Sequence, residues 1–249
     1  MGNNHYIRNK LFENNMMELK ESVRIQNSIL NTLEKRALVY MAGKMPAWVT
    51  SDMMTLVGCV GSVMICIGFI LTAYSINWLW LSIAGLVVNW FGDSLDGTIA
   101  RGRNTQRPVY GYYLDHTMDV VNEILMFVGL GLSPLVHLNL ALAAFICYLA
   151  LTLNVSMNSH LRGEFKLTYA KFGPTEFRLV IIIVCLLFIF VPAIRNYACP
   201  ITVLNNSFVF GVFDWIALAV VVVLGLMWVG TIISDIRFYA KADPPKKNN

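Results

Sequence analysis

Six long apolar stretches dominate the sequence, and each approaches the roughly 20 residues that an α-helix needs to cross the hydrocarbon core of a bilayer. They lie near residues 53–74, 77–99, 115–133, 137–157, 175–194 and 208–234. Hydrophobic residues make up 57% of the 249-residue chain and the mean hydropathy is +0.59, values that exclude an ordinary soluble domain. We therefore predict an all-α integral membrane protein with six transmembrane helices.

The charged residues between these spans predict which side of the membrane each loop faces. With six spans the two termini share a side, and all 19 Lys and Arg residues fall on that side except Arg195. Because basic residues accumulate on the cytoplasmic side, we expect both termini in the cytoplasm. The membrane would be the cell membrane of a bacterium or an ER/Golgi-type membrane of a eukaryote. The same rule accounts for the net charge of +4, so nucleic acid is not an expected partner.

The spans divide the chain into a cytoplasmic arm at 1–46, a six-helix transmembrane domain at 47–238 and a cytoplasmic tail at 239–249. Near the end of the arm, apolar residues recur at helical spacing beside Lys35, Arg36 and Lys44. These apolar residues are Ile29, Leu30, Leu33, Ala37, Leu38 and Met41. The pattern predicts an N-terminal amphipathic helix lying on the inner leaflet. A soluble helix packed against the cytoplasmic loops is the alternative.

The stretch DSLDGTIARGRNTQRPVYGYYLDHTMD, residues 93–119, places four aspartates beside the second and third spans. Asp93 and Asp96 are three residues apart at the end of the second span, so they share a helical face. Asp115 and Asp119 are four apart at the start of the third span, and the same argument aligns them. A short loop joins the two helices. The four carboxylates are therefore predicted to meet near the membrane surface.

Carboxylates at that depth are costly and repel one another unless a partner offsets the cost. Mg²⁺ and Mn²⁺ are natural partners because they prefer carboxylate oxygen. Two such ions about 3.5–4 Å apart can bind the attacking and leaving oxygens of a phosphoryl transfer. For any single aspartate, a solvated helix end is the alternative, with Asp96-Gly97 as an ordinary turn.

The spacing of the whole stretch is D-x-x-D-G-x-x-A-R, nine intervening residues, then G-x-x-x-D-x-x-x-D. It is carried by Asp93, Asp96, Gly97, Ala100, Arg101, Gly111, Asp115 and Asp119. This pattern resembles the signature of the CDP-alcohol phosphotransferase family, and the six-span layout with a preceding amphipathic helix is similar to that family too. The resemblance implies that 47–238 is a catalytic domain, that the protein is a homodimer and that CMP is the leaving group.

The resemblance also implies residue roles. Asp93, Asp96 and Asp115 would bind two Mg²⁺ or Mn²⁺ ions, while Asp119 would lie near the metals and take the proton of the acceptor hydroxyl. The nucleotide and its diphosphate would lie near Gly97, Ala100, Arg101 and Gly111. The two glycines would let the nucleotide approach the helix backbone. Arg101 would pair with the diphosphate or, alternatively, only mark the inner membrane face.

A second element ahead of the first span, PAWVTSDMMT, is similar to the family's P-N-x-x-T segment, whose Asn and Thr lie near the nucleotide. Ser51 and Asp52 stand where Pro and Asn are common, while Thr55 keeps its place. Nucleotide contacts by Asp52 and Thr55 are therefore expected. The alternative for Asp52 is a helix N-cap.

Polar residues at two further cytoplasmic helix ends are candidates for binding the acceptor. Asn154 and Asn158 are four residues apart at the end of the fourth span and share a face. Before the fifth span, GPTE resembles a segment of eukaryotic choline and ethanolamine phosphotransferases. In and just after this segment, Glu176 and Arg178 are candidate acceptor contacts. Alternatively, Glu176 is a first-turn acid and Arg178 an interfacial anchor.

The leading hypothesis is an enzyme of phospholipid synthesis that transfers a phosphatidyl group from CDP-diacylglycerol, or another CDP-alcohol, to a small alcohol acceptor. A close alternative transfers from CDP-choline or CDP-ethanolamine to diacylglycerol. A cation transporter that uses the acidic cluster is the rival from another class, and a non-catalytic scaffold is a third option. The aspartates lie at one membrane face and no inverted repeat is visible, which disfavours transport. Membrane lipids and a second copy of the chain are the expected partners.

Overall fold

The computed structural model describes residues 23–25, 31–162, 164–166, 174–203 and 206–245. Their helices are α1 (Asn31–Lys44), α2 (Ser51–Leu71), α3 (Leu79–Gly102), α4 (Pro108–Gly131), α5 (Leu138–Arg162), α6 (Pro174–Phe190), α7 (Pro192–Arg195) and α8 (Val212–Ala242). A single 3-10 turn precedes α3 at Ile76–Trp78. The fold is therefore mostly helical, as expected.

Each of the six segments predicted as spans contains a long helix. Among the described residues, three helical segments are long and apolar enough to cross a membrane: Ser51–Leu71, Leu138–Asn158 and Val212–Ala242. Helices α3 and α4 carry the charged motif, and α6 has 17 residues. Helix α4 begins at Pro108, about two turns before its expected start near 115, since Pro is favoured in the first turn of a helix.

The all-α expectation misses two small sheets. Strand β1 (Val23–Ile25) pairs in parallel with β2 (Glu164–Lys166), and β3 (Cys199–Val203) pairs antiparallel with β4 (Asn206–Phe210). The last predicted span began at 208, but α8 begins at Val212 and the residues before it form β4. Alternating aromatic and β-branched residues favour a strand there, and pairing satisfies the backbone groups of the connection.

Helices α2 and α3 pack closely through glycine. A Cβ added to Gly85 would lie 2.6 Å from the carbonyl oxygen of Gly61, so neither position has room for a side chain. Between them, the Asn89 amide donates to the carbonyl oxygen of Gly58 at 3.1 Å and to Ser62 Oγ at 3.0 Å. Small residues and interhelical hydrogen bonds are the usual basis of helix packing in membranes. They fix the register of α3 one turn before its first aspartate.

Helix α1 packs against the cores of α2 and α3 rather than standing apart. Leu38 is buried together with Val49, Met54, Leu95 and Ile99. On the other side Val39 and Tyr40 are exposed. The alternative of packing against protein thus describes one face of α1, and a position on the inner leaflet stays a prediction for the other face. Ile29 and Leu30 lie outside the described residues.

At the opposite end of the bundle, a buried carboxylate joins the starts of α5 and α8. Asp214 Oδ1 accepts from the backbone N of His137 at 2.8 Å and lies 2.9 Å from its Nδ1, while Oδ2 accepts from the backbone N of Gly211 at 2.8 Å. Strands β3 and β4 lie beside this pair, since the His137 ring contacts Phe208 and Phe210. We call this region the hairpin end.

Candidate metal centre

Three carboxylates converge where α3 ends and α4 begins. One carboxylate oxygen from each of Asp93, Asp115 and Asp119 lies within 4.8 Å of the other two. All three side chains are half-buried. We call these residues the aspartate trio. An all-oxygen set of this kind is the donor type that Mg²⁺ and Mn²⁺ prefer, so the trio fits the metals implied by the sequence.

Helix α6 brings a cation to the trio. Arg178 Nη2 donates to Asp93 Oδ2 at 2.8 Å, and both side chains are largely buried. Arg178 is also within electrostatic range of Asp119, as are Asp93, Asp115 and Glu123. The sequence predicted Arg178 as an acceptor contact. The structure places it directly on a predicted metal ligand.

The fourth motif aspartate lies outside the trio. Asp96 is buried, and its Oδ2 accepts from Thr55 Oγ1 at 2.9 Å. Its Oδ1 accepts from the backbone N of Gly97. Thr55 was predicted to contact the nucleotide, and here it joins α2 to the motif on α3. The structure thus brings three of the four predicted carboxylates together and orients the fourth through α2.

Asp52 on α2 is not the N-cap that the sequence allowed. The side chain of Thr50 caps α2 by accepting from the backbone N of Met53, and Asp52 follows in the first turn. Asp52 instead accepts from Arg107 Nη2, with 2.7 Å to Oδ1. Arg107 also lies 4.0 Å from the Tyr110 ring centroid. The hydrogen bond to Asp52 raises the pKa of the exposed Arg107 guanidinium.

The remaining motif residues lie near the end of α3 and the start of α4. A Cβ on Gly97 would lie 3.0 Å from Arg101 Nη1, so the glycine lets Arg101 fold back over the helix. Arg101 is exposed and donates to Thr98 Oγ1 at 3.3 Å. No atom lies within 4 Å of a Cβ built on Gly111, and the half-buried Ala100 accepts a backbone hydrogen bond at the end of α3. The open space at Gly111 is compatible with the expected approach of a nucleotide.

The other acceptor candidates have protein partners. Asn154 and Asn158 share a face, as predicted, and both donate to Asp235 Oδ2 on α8, at 3.0 Å and 2.7 Å. Tyr239 donates to the Asn158 side-chain oxygen at 2.7 Å. Glu176 is buried at the start of α6. The two asparagines therefore hold α5 against α8.

Sequence reasoning missed two residues that fix the surroundings of the trio. Glu34 on α1 accepts hydrogen bonds from Trp90 on α3 and Thr175 on α6. Arg103, assigned only to membrane topology, donates to backbone carbonyl oxygens in the α1–α2 connection, among them that of Met45 at 2.9 Å. The one signal for Glu34 was an acidic residue in an otherwise basic amphipathic segment.

Comparison with known proteins adds two findings. A sequence model of the CDP-alcohol phosphatidyltransferase family matches residues 48–227, which contain the complete motif. Over 88 residues the chain is 35% identical to a phosphatidylinositol phosphate synthase of Cutibacterium acnes (strain DSM 16379 / KPA171202). This match covers 34% of the chain and 39% of the relative, so the chain spans about two fifths of the length of the curated relative it matches.

Proposed function

This chain belongs to the CDP-alcohol phosphatidyltransferase family, and on that premise we propose that it transfers a phosphatidyl group from CDP-diacylglycerol to a small hydroxyl acceptor, releasing CMP. The observation that carries the proposal is the convergence of Asp93, Asp115 and Asp119 within 4.8 Å. Like charges held so close need a cationic partner, and a divalent metal with a bound diphosphate meets that need.

The proposal assigns two Mg²⁺ or Mn²⁺ ions to the four motif aspartates. Asp93, Asp115 and Asp119 supply the converging oxygens, and Asp96 is held beside them by Thr55. When bound, such an ion pair neutralises charge on the diphosphate and stabilises the leaving oxygen. Arg178 contributes a fixed positive charge on the α6 side, where it lies against Asp93.

Asp119 acts as the general base. It lies one turn beyond Asp115 on α4 and converges with Asp93 and Asp115. The acceptor oxygen attacks the phosphorus that carries the diacylglycerol, and its proton passes to the Asp119 carboxylate. The bond to the second phosphate breaks, and CMP leaves with the bridging oxygen.

The nucleotide and its diphosphate are bound by residues of α2, α3 and α4: Asp52, Thr55, Gly97, Ala100, Arg101 and Gly111. The site opens to the cytoplasm and sideways to lipid, because the donor is amphiphilic. Both termini are cytoplasmic, and the protein acts as a homodimer. Among the acceptor candidates Arg178 has the strongest support, since a guanidinium that binds a carboxylate can bind a phosphate group through the same N–H donors. The name of the relative makes a phosphorylated inositol one acceptor to test.

The decisive assay is CMP release by the purified protein in lipid nanodiscs containing CDP-diacylglycerol. Acceptors are supplied singly with Mg²⁺ or Mn²⁺: glycerol phosphate, serine, inositol and inositol phosphate. We expect metal-dependent release with one acceptor class, complete loss on chelation, and a product mass that identifies the acceptor. A second arm supplies CDP-choline or CDP-ethanolamine with diacylglycerol. If neither arm releases CMP and the protein conducts cations into liposomes, the enzyme hypothesis is rejected in favour of a transporter.

A further inference from the structure

A carboxylate on the N-terminal helix joins two helices of the metal centre. Glu34 Oε1 accepts from Trp90 Nε1 on α3 at 2.8 Å and from Thr175 Oγ1 on α6 at 2.7 Å. All three side chains are half-buried. One carboxylate oxygen thus accepts from side chains of both helices, so this three-residue bridge connects α3 and α6 through α1.

The two donors are each three residues from a residue of the centre. Trp90 precedes Asp93 on α3, and Thr175 precedes Arg178 on α6. Arg178 in turn donates to Asp93 at 2.8 Å. Helices α3 and α6 are therefore connected twice over one helical turn, once by the ion pair of the centre and once through Glu34.

Helix α1 holds Glu34 firmly enough for this role. Leu38, one turn after Glu34, is buried against Leu95 and Ile99 of α3. Arg103 holds the following connection through its backbone carbonyl oxygens, including that of Pro46 at 2.9 Å. Glu34 also lies outside residues 48–227, where the chain matches its family. The bridge is thus supplied by a segment beyond the matched domain.

We infer that Glu34 is a positioning residue, which fixes α6 against α3 so that the Arg178 guanidinium stays on Asp93. The inference rests on the proposed function for its activity readout and on the geometry alone for its structural readout. Glu34 touches neither the trio nor the reacting groups. Its effect on turnover passes through Arg178.

Two substitutions at position 34 test the bridge. Glu34→Gln keeps a carbonyl oxygen that accepts from both donors, whereas Glu34→Ala removes the acceptor. We expect Glu34→Ala to lower kcat about tenfold with the KM for CDP-diacylglycerol changed less than about twofold, and Glu34→Gln to stay within about threefold of wild type. Lys35→Ala, at an exposed neighbour on the same helix, is the matched control. Equal losses for Gln and Ala would overturn the inference.

A second background separates positioning from general stability. If Glu34 acts through Arg178, then Glu34→Ala should cost less than about twofold in a protein that already carries Arg178→Ala, because coupled residues are non-additive. A full further loss in that background would show that Glu34 acts elsewhere. Trp90→Phe and Thr175→Val each remove one donor and should reproduce part of the loss. These two variants keep the test decisive if Glu34→Ala fails to fold.

The structural readout needs no substrate. Backbone hydrogen exchange in residues 174–180 should be faster in Glu34→Ala than in wild type and unchanged in Glu34→Gln, with the hairpin end unaffected in both. Unchanged exchange in Glu34→Ala would overturn the bridge even with the enzyme active. Conversely, absence of CMP release by wild type with every acceptor would reject the proposed function, while the exchange measurement would still decide the role of Glu34.

Discussion

The two ends of the helix bundle each hold aspartate side chains, but the burial and the partners of these side chains differ. At the hairpin end Asp214 is 3% exposed, and its two oxygens accept from the backbone N of His137 and of Gly211. At the other end the trio is less buried, and its oxygens face one another. Burial is therefore greater where the carboxylate is structural. The difference teaches that the structural carboxylate is satisfied by backbone donors, whereas the trio holds like charges together, with the Arg178 guanidinium on Asp93.

The largest expected effect comes from replacing a carboxylate of the trio. Asp119→Asn removes the proton acceptor while keeping the shape, so we expect turnover to fall by about a thousandfold, within the usual range for a lost general base. Binding of CDP-diacylglycerol should remain largely intact. CMP release and equilibrium binding measure the two effects. An Asp119→Asn protein that retained most of its activity would refute the assignment of the base.

The cations at the two ends provide the next test. Arg178→Ala removes the guanidinium from Asp93, and we expect CMP release to fall about a hundredfold. Arg178→Lys should retain part of the CMP release, because lysine keeps the positive charge but lacks the planar guanidinium. Arg195→Ala, at an exposed residue of α7, is the control and should leave the rate unchanged. Equal rates for the Arg178 and Arg195 variants would remove Arg178 from the centre.

The helix packing beneath the trio gives a smaller effect. A Cβ on Gly92 would clash with α2, including the carbonyl oxygen of Met54 at 2.5 Å, whereas Gly225 on α8 has no atom within 4 Å. Gly92→Ala should destabilise the protein by about 1–3 kcal/mol through overpacking. Gly225→Ala should be neutral or slightly stabilising. Thermal unfolding in detergent compares the two, and equal midpoints would mean that the α2–α3 contact tolerates widening.

The smallest expected change in turnover comes from the hairpin end. Asp214→Asn replaces one acceptor oxygen by an NH₂ group that faces a backbone N–H, and it should reduce the free energy of unfolding by about 1–3 kcal/mol. CMP release by the folded fraction should change less than about threefold. A loss of turnover as large as that of Asp119→Asn would mean that the two ends are not functionally distinct.

Helical periodicity predicted what repeats along one element. The six helical segments, the shared face of Asp115 and Asp119 and that of Asn154 and Asn158 all follow from spacing. What spacing cannot give is the partner of each side chain on another helix, which depends on tertiary packing. The orientation of Asp96 toward Thr55 is an example, because its donor lies 41 residues away.

The boundaries of β4 and α4 were misplaced for a different reason. Residues 208–210 are apolar and adjoin a long apolar helix, so hydropathy alone cannot separate a strand from a span. The sequence prediction placed the start of helix α4 too late because its first two turns carry Tyr and Gly rather than a continuous apolar run. Glu34 was missed because its donors lie on two other helices, and no local pattern identifies them.

The length of α8 bears on which of its residues lie outside the hydrocarbon core of a bilayer. Its 31 residues rise about 46 Å at 1.5 Å per residue, which exceeds the roughly 30 Å of a bilayer's hydrocarbon core. With Val212 at one edge of the hydrocarbon core, Asp235 lies about 35 Å along the helix, past that core when α8 stands upright and at its other edge when α8 tilts. We therefore expect the asparagine amides that bind Asp235 to lie at the headgroup level. At that level the contact between α5 and α8 would change from apolar to polar, as the bilayer changes from hydrocarbon to headgroups.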